Sequence, residues 1–226
     1  MPNLNRIRTA RVKLVEAHTL FPQGVVEAAG GGTGKSAQTF RQAGSGTFDR
    51  DLYHMAGGIT ADSQASISID VDRLMAMPFF VGGNDLNIDR IAFRVSTGGG
   101  AGSVARVGIY DVTSDTDIYP ANLIVDGGEQ DTTSAAVKIT TISETLSANT
   151  MYWFVFLAGV ASPTVRCFDE DSCFIIGTDN SFSSVPYGGV REDFGYAALP
   201  DPFDSDGPLL VNNTIYMPVI AVRVAA

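Results

Sequence analysis

Hydrophobic and polar residues alternate with a period of two along the stretch from Asn87 to Gly159. In Ile91-Ala92-Phe93-Arg94-Val95, the side chains of Ile91, Phe93 and Val95 share one side of an extended chain, with Ala92 and Arg94 on the other. Ala105, Val107 and Ile109 line up in the same way. Successive side chains of a strand point to opposite faces, so this pattern predicts strands with one buried face. Met151 to Ala158 differs, being apolar or aromatic on both faces, and predicts a central strand covered on both sides. The turn signals GGGAG, YPAN and DGG lie between these segments. Together they predict the core of an antiparallel two-sheet sandwich.

The same signals continue on either side. Ile67, Ile69 and Val71 alternate with Ser68, Asp70 and Asp72, and an apolar run follows from Arg73 to Val81. Pro78 predicts an edge or a bulge there, because proline has no N–H for a ladder. Ser96 to Ser103 reads as a hairpin loop and Asp111 to Asn122 as a longer polar connection. Leu123-Ile124-Val125 reads as a short strand closed by Asp126-Gly127-Gly128. Val137 and Ile139 alternate with Lys138 and Thr140. Further strands are expected at Ser162–Cys167, Cys173–Gly177 and Ile215–Val224, with Pro218 favouring an edge. Phe48 to Gly58 reads as irregular or helical. The expected total is about nine or ten strands, which suits two packed sheets. No segment after the first thirty residues or so shows convincing 3.6-residue periodicity, so the class is all-β rather than α/β. Residues 1–60 read as an extended N-terminal arm and glycine-rich linker, and residues 61–226 as the β-sandwich domain.

Charge divides the chain in the same place. The net charge is −10, yet residues 1–50 carry seven cationic against three acidic residues, a net of +4 that leaves −14 for the remainder. A basic arm on an acidic body argues against nucleic-acid binding by the body. The arm, with Arg6, Arg8, Arg11 and Lys13, suits contacts in an assembly: an acidic protein partner, a neighbouring copy or nucleic acid. Thr9 to Glu16 is a candidate strand in it, with a short helix as the alternative. No run of 18 apolar residues is present, so no membrane span is expected. The N-terminus lacks the order of a secretory signal. Two cysteines, Cys167 and Cys173, either pair across a short loop or remain buried thiols.

Candidate chemistry is sparse. Gly30 to Ser36 approaches a phosphate-binding loop, but the first glycine of that motif falls on Ala29, with no buried strand before it and no clear amphipathic helix after it. His18 and His54 have no partners at ligand spacing. Asp201, Asp204 and Asp206 are candidate calcium ligands without the order of a calcium-binding hand, and a solvated loop is the simpler reading. Asp115 and Asp117 are weaker candidates of the same kind. The Asp169-Glu170-Asp171 turn does not place two carboxylates across a groove as glycoside hydrolysis requires. No serine nucleophile elbow is present. Trp153 lies within an apolar strand and reads as core. Tyr110, Tyr119, Tyr187 and Tyr196 lie in or beside expected loops and are the candidate glycan contacts. No catalytic residue and no cofactor are expected.

Between Met77 and Phe168 the chain resembles small β-sandwich modules of bacteriophage structural proteins, those of tail fibres, baseplates and head decoration. The resemblance is carried by Pro78-Phe79-Phe80, Asp89-Arg90-Ile91 with Val95, Gly98-Gly99-Gly100-Ala101-Gly102 and Ala105-Arg106-Val107-Gly108-Ile109-Tyr110. It continues through Tyr119-Pro120, Leu123 to Gly128, Leu146-Ser147 and Tyr152-Trp153. It covers less than half of the chain. It implies a virion component with a jelly-roll-like sandwich, a homotrimer or repeated surface subunit, and no enzymatic activity. Its partners would be further copies and other virion proteins such as the major capsid protein. The compact length, without a repetitive shaft, favours a capsid decoration or cement subunit anchored by the arm. A tail-fibre, tail-tip or baseplate protein that binds host-surface glycan is the alternative, and a glycan-degrading virion enzyme a distant third.

Overall fold

The computed structural model describes residues 53–55, 64–82, 84–114, 117–168, 187–203, 209–212 and 216–225. Among them are thirteen strands in two antiparallel sheets, in a sandwich-like arrangement. The first sheet holds β1 (Tyr53–Met55), β2 (Gln64–Ser68), β4 (Leu86–Thr97), β7 (Ala136–Leu146), β9 (Thr164–Phe168), β12 (Met217–Pro218) and β13 (Ile220–Val224). The second holds β3 (Arg73–Val81), β5 (Val104–Ser114), β6 (Asp117–Asp131), β8 (Thr150–Gly159), β10 (Tyr187–Asp193) and β11 (Leu209–Asn212), in the order β11-β10-β3-β8-β5-β6. The chain crosses between sheets at eight of the twelve connections, so the two inner faces are filled by residues distant in sequence.

The alternation read in the sequence sets these inner faces. Ile91, Phe93 and Val95 of β4 meet Ala105, Val107 and Ile109 of β5 and Phe154, Phe156 and Ala158 of β8 in one core. Phe93 packs edge-on against Phe156 from the opposite sheet, with ring centroids 5.2 Å apart, and Phe79 stacks on Phe154 at 4.5 Å. Both are preferred aromatic geometries. The other side of β8 faces a second cluster, in which Trp153, Val155 and Leu157 pack with Leu74, Ala76, Tyr110, Val190, Leu199 and Phe203. The two-sided strand and the core position of Trp153, which has no exposed surface, are as the sequence predicts.

That second cluster is closed by residues 194–203, a strap without strand structure lying on the outer face of the second sheet. Its backbone has no ladder to join, so carboxylates and carbonyls satisfy it instead. The Phe194 and Tyr196 N–H groups donate to the Asp72 carbonyl (2.9 Å) and carboxylate (2.8 Å). The Leu199 N–H donates to Asp126 (3.2 Å) and the Phe203 N–H to the Ala121 carbonyl (2.7 Å). The Tyr110 hydroxyl donates to the Pro200 carbonyl at 2.5 Å. Two glycines make room for the strap. A Cβ on Gly159 would lie 2.2 Å from the Tyr196 ring, and one on Gly108 would lie 2.4 Å from Leu199 Cδ1.

Several segments differ from expectation. β6 runs unbroken through Leu123–Gly128, so DGG is not a closing turn. The ladder with β5 shifts register there and Gly128 takes a positive φ of 75°. That is bulge geometry, which glycine accommodates. β5 and β6 reach Ser114 and Asp117, replacing the long polar connection. The segment 98–103 joins β4 of one sheet to β5 of the other and is not a hairpin. Tyr53–Met55, expected to be irregular or helical, is a strand on β13. The ladder of β10 on β3 stops at Ala76, two residues before Pro78, so β3 is internal at its start and has one laddered neighbour at the proline. The final strand enters a fork. β4 and β9 pair at Val95 and Thr97, then separate, and β12–β13 inserts between them. Pro218 sits where pairing passes from β9 to β4, and the Val219 N–H donates to the Arg166 carbonyl (2.8 Å).

Replacing Tyr110 with Phe leaves the Pro200 carbonyl without its donor and is expected to lower stability by about 1–2 kcal/mol in urea denaturation. Val160 is 70% exposed and holds a φ of 66°, a left-handed conformation that a β-branched residue tolerates poorly. Val160→Asn is expected to raise stability by about 1 kcal/mol in the same measurement. Burial, and then the hydrogen bond to Glu129, push the Tyr196 hydroxyl up to about 12. Burial raises Tyr110 further still. The neutral phenols favour the folded state. Their contribution is complete below a pH of about 10 and is lost as pH rises through the folded values. Denaturation midpoints are therefore expected to fall between about pH 9 and 11.5, less so in Tyr196→Phe.

Candidate functional site

The two sheets are finished differently on the outside. The strap covers the second, whereas the outer face of the first carries large apolar side chains at its surface. Strand pairing orders them into rows. Ile139, Ala92, Ala221 and Met55 form one row across β7, β4, β13 and β1. Thr141, Arg90, Arg223 and Tyr53 form the row beside it. On the other side lie Val137 and Arg94, which are cross-strand neighbours, with Val219 and Arg166. Val137 is 54% exposed, Ile139 47%, Met55 42% and Tyr53 38%. A shallow depression of about 230 Å³ lies between Tyr53, Arg94, Val137, Arg166, Val219 and Ala221.

Apolar residues at strand positions normally mark the buried side. On β7 the rule is inverted: Val137 and Ile139 face out, while Lys138 and Thr140 take the half-buried side. The register with β4 causes this. Lys138 stands opposite Phe93 and Thr140 opposite Ile91, both core residues, which leaves the odd-numbered positions outside until Ile142 and Leu146 rejoin the core. The face is therefore a consequence of pairing, and it presents apolar surface of the kind that marks interaction sites.

Arginine frames the apolar row. Eight cationic residues fall between residues 53 and 226, and four of them, Arg90, Arg94, Arg166 and Arg223, stand on this face. Arg90 Nη1 donates to Thr141 Oγ1 (2.7 Å). Arg223 grips Asp89 through Nε (2.9 Å) and Nη2 (2.5 Å). That hydrogen bond, with the charges of Arg223 and Arg90, holds the Asp89 carboxyl below its ordinary value despite some desolvation. Guanidinium groups pair with carboxylates in a planar, two-point geometry. The face is thus apolar and cationic on a body that is acidic overall, and its chemistry suits a partner with carboxylates flanking apolar side chains.

A second depression of about 210 Å³ involves Ile67, Ile69, Arg73, Met75, Arg191 and Tyr216. Asp70 (3.5 Å) and Asp193 (3.7 Å) already lie against Arg73, so this site is locally balanced in charge.

The residues singled out from sequence do not assemble into one site. Arg6, Arg8, Arg11 and Lys13 lie outside the described residues, as do His18, Gly30–Ser36, Asp115, the Asp169–Asp171 turn, Cys173, Asp204 and Asp206. His54 is on β1 opposite Val222. Asp201 accepts the Leu123 N–H at 3.1 Å, tying strap to sheet. Among the described residues no three His, Cys, Asp or Glu side chains cluster as metal ligands. Cys167 is buried, with its thiol directed at the Val165 carbonyl (3.7 Å). Of the four tyrosines proposed as glycan contacts, Tyr110 is in mid-strand with no exposed surface, which removes it from any surface site. It was expected beside a loop because of the polar run that follows it, but β5 continues through that run. Tyr119 is half-buried against the Trp153 cluster. Tyr196 lies on the strap, its ring 5.9 Å from the Arg106 guanidinium and its hydroxyl donating to Glu129 (3.1 Å). Only the backbone of Tyr187 is described, at the start of β10.

Sequence reasoning missed the arginines and apolar residues of the outer face. The available signal was the pairing of Val137 and Ile139 with a strand already supplied with inward residues. No protein-family model matches the chain, and no curated protein matches it in sequence.

Proposed function

We propose that the chain is a non-enzymatic assembly subunit that docks through the outer face of its first sheet onto an acidic protein surface. The observation that carries this reading is the exposed row of Ile139, Met55 and their neighbours between arginines, on a chain of net charge −10. The apolar row supplies the area for association, and the arginines select carboxylates and speed encounter. The resemblance to phage structural modules supports placing such a subunit in a virion, as a capsid decoration or cement protein with a jelly-roll-like sandwich. In that setting the basic N-terminal arm anchors the subunit, and the major capsid protein or a neighbouring subunit supplies the acidic surface.

Electron cryomicroscopy of purified particles, assembled with the unaltered chain and with an Arg94→Glu/Arg166→Glu variant, tests both parts. The unaltered chain is expected as density on the particle with the outer face of the first sheet against protein. The variant is expected to fall at least about tenfold in occupancy, equivalent to about 1.4 kcal/mol, with folding stability changed by no more than about 0.5 kcal/mol. No density for this chain on the particle defeats the virion reading. Density with the arginine face toward solvent, or full occupancy of the variant, defeats the docking reading.

A further inference from the structure

β7 is laddered to β4 on one side, and among the described residues no strand is laddered to its other side. An outer strand offers a row of backbone donors and acceptors to any chain that can align with it, and folded proteins normally guard such strands. The other outer strands here are guarded. β1, β2 and β11 are three, five and four residues long. β6 is interrupted by four register shifts along β5, where β7 has one along β4 between Thr141 and Glu144, and β6 carries Asp126, Glu129 and Asp131. β7 is eleven residues long, has no proline or glycine, and six of its residues, Val137, Ile139, Thr140, Thr141, Ile142 and Thr145, are β-branched. Its charges are Lys138 and Glu144 alone.

The placement of those two charges identifies the occupant. When two identical strands pair antiparallel, the arrangement has a twofold axis. Centring it on Thr141, the middle residue, aligns the full length of β7, with Ala136 opposite the partner's Leu146. The same register sets Lys138 opposite the partner's Glu144, and Glu144 opposite the partner's Lys138. Both residues project to the core side of the strand, so directly opposed side chains share a face. On the outer face Val137 then meets the partner's Thr145, and Ile139 the partner's Ser143. Sliding the register by two residues in either direction shortens the overlap. It also puts Lys138 against the partner's Ile142 or Leu146. Full overlap and reciprocal charge pairing thus select one register.

We infer that β7 is the dimerisation strand of this protein: two copies join their first sheets edge to edge about a twofold axis through Thr141. The contact is isologous, so it closes after two copies. It is distinct from the threefold arrangement that the resemblance implies, and it does not depend on a virion setting. The two arginine-framed faces become one continuous surface.

The test is sedimentation and disulfide trapping with the full chain. The unaltered protein is expected to sediment as a dimer at micromolar concentration. Thr141→Cys, whose position lies on the axis, is expected to form a covalent dimer under mild oxidation. Thr145→Cys is not, since its counterpart lies about 27 Å away along the paired strands. The unaltered chain, treated in parallel, accounts for any linkage through Cys167 and Cys173. Lys138→Glu and Glu144→Lys are each expected to weaken dimerisation about tenfold, and the double exchange to restore it within about threefold. Arg94→Glu/Arg166→Glu, off β7, is expected to leave the dimer intact, which separates this interface from the docking face. A protein that stays monomeric at tens of micromolar overturns the inference. So do a trimer, equal trapping at positions 141 and 145, or a double exchange that fails to restore association.

Discussion

The two-sided burial of β8 is the constraint on which the other features depend. Residues 152–158 have almost no exposed surface, and alternate side chains enter two separate clusters. A strand with apolar groups on both faces is stable only when both are covered. The first sheet covers one. The strap covers the other, and it has to bring its own hydrogen-bonding solution because irregular backbone over an apolar cluster has no ladder to join. Gly108 and Gly159 let the strap approach closely, and Tyr110 ties it down at Pro200.

Among the described residues, the second sheet is covered on both faces and the first has one covered face and one open face. Its inner side is fully engaged with β3, β5 and β8, while its outer side keeps Val137, Ile139, Met55 and Tyr53 at the surface. Isolated exposed apolar residues are ordinary on any protein. Here pairing across β7, β4, β13 and β1 makes them contiguous, and arginines from three strands flank them. The fork that admits β12–β13 between β4 and β9 is what brings Arg90 and Arg94 beside Arg166 and Arg223. The open face is therefore a product of topology as much as of local sequence.

This explains what could be read in advance. The strands β4, β5 and β8 were legible because alternation reports directly which residues share a face. Alternation does not report which face is buried, and it is the register of β7 on β4 that assigns the inside to Lys138 and Thr140 and leaves Val137 and Ile139 outside. Glycine was ambiguous for a related reason. Asp126-Gly127-Gly128 has turn composition, yet its backbone freedom is used in a bulge within a long strand. Tyr110 was misplaced because a polar run after a strand resembles a loop, whereas β5 continues outward through it. The arginine cluster had no local signature, since Arg90 and Arg223 are separated by most of the domain and meet only in the folded sheet.

The segregation of charge follows from the same architecture. Asp72, Asp126 and Asp201 each accept a backbone N–H, of Tyr196, Leu199 and Leu123 respectively, at 2.8 to 3.2 Å. Carboxylates suit this role because a charged acceptor binds a backbone donor more strongly than a neutral one. They also concentrate negative charge on the strapped side. Asp126 does double duty, holding Arg106 at 2.9 Å while accepting from the strap, so one of the few cations on that side is fixed in place beneath the Tyr196 ring. The strands of the first sheet are laddered to one another except at its edges, and among the described residues no strap crosses its outer face. Carboxylates accumulate where irregular backbone must be anchored, and arginines remain where a regular sheet faces outward. The polarity of the outer face, on which the proposed docking rests, is thus tied to the device that closes the opposite side of the molecule.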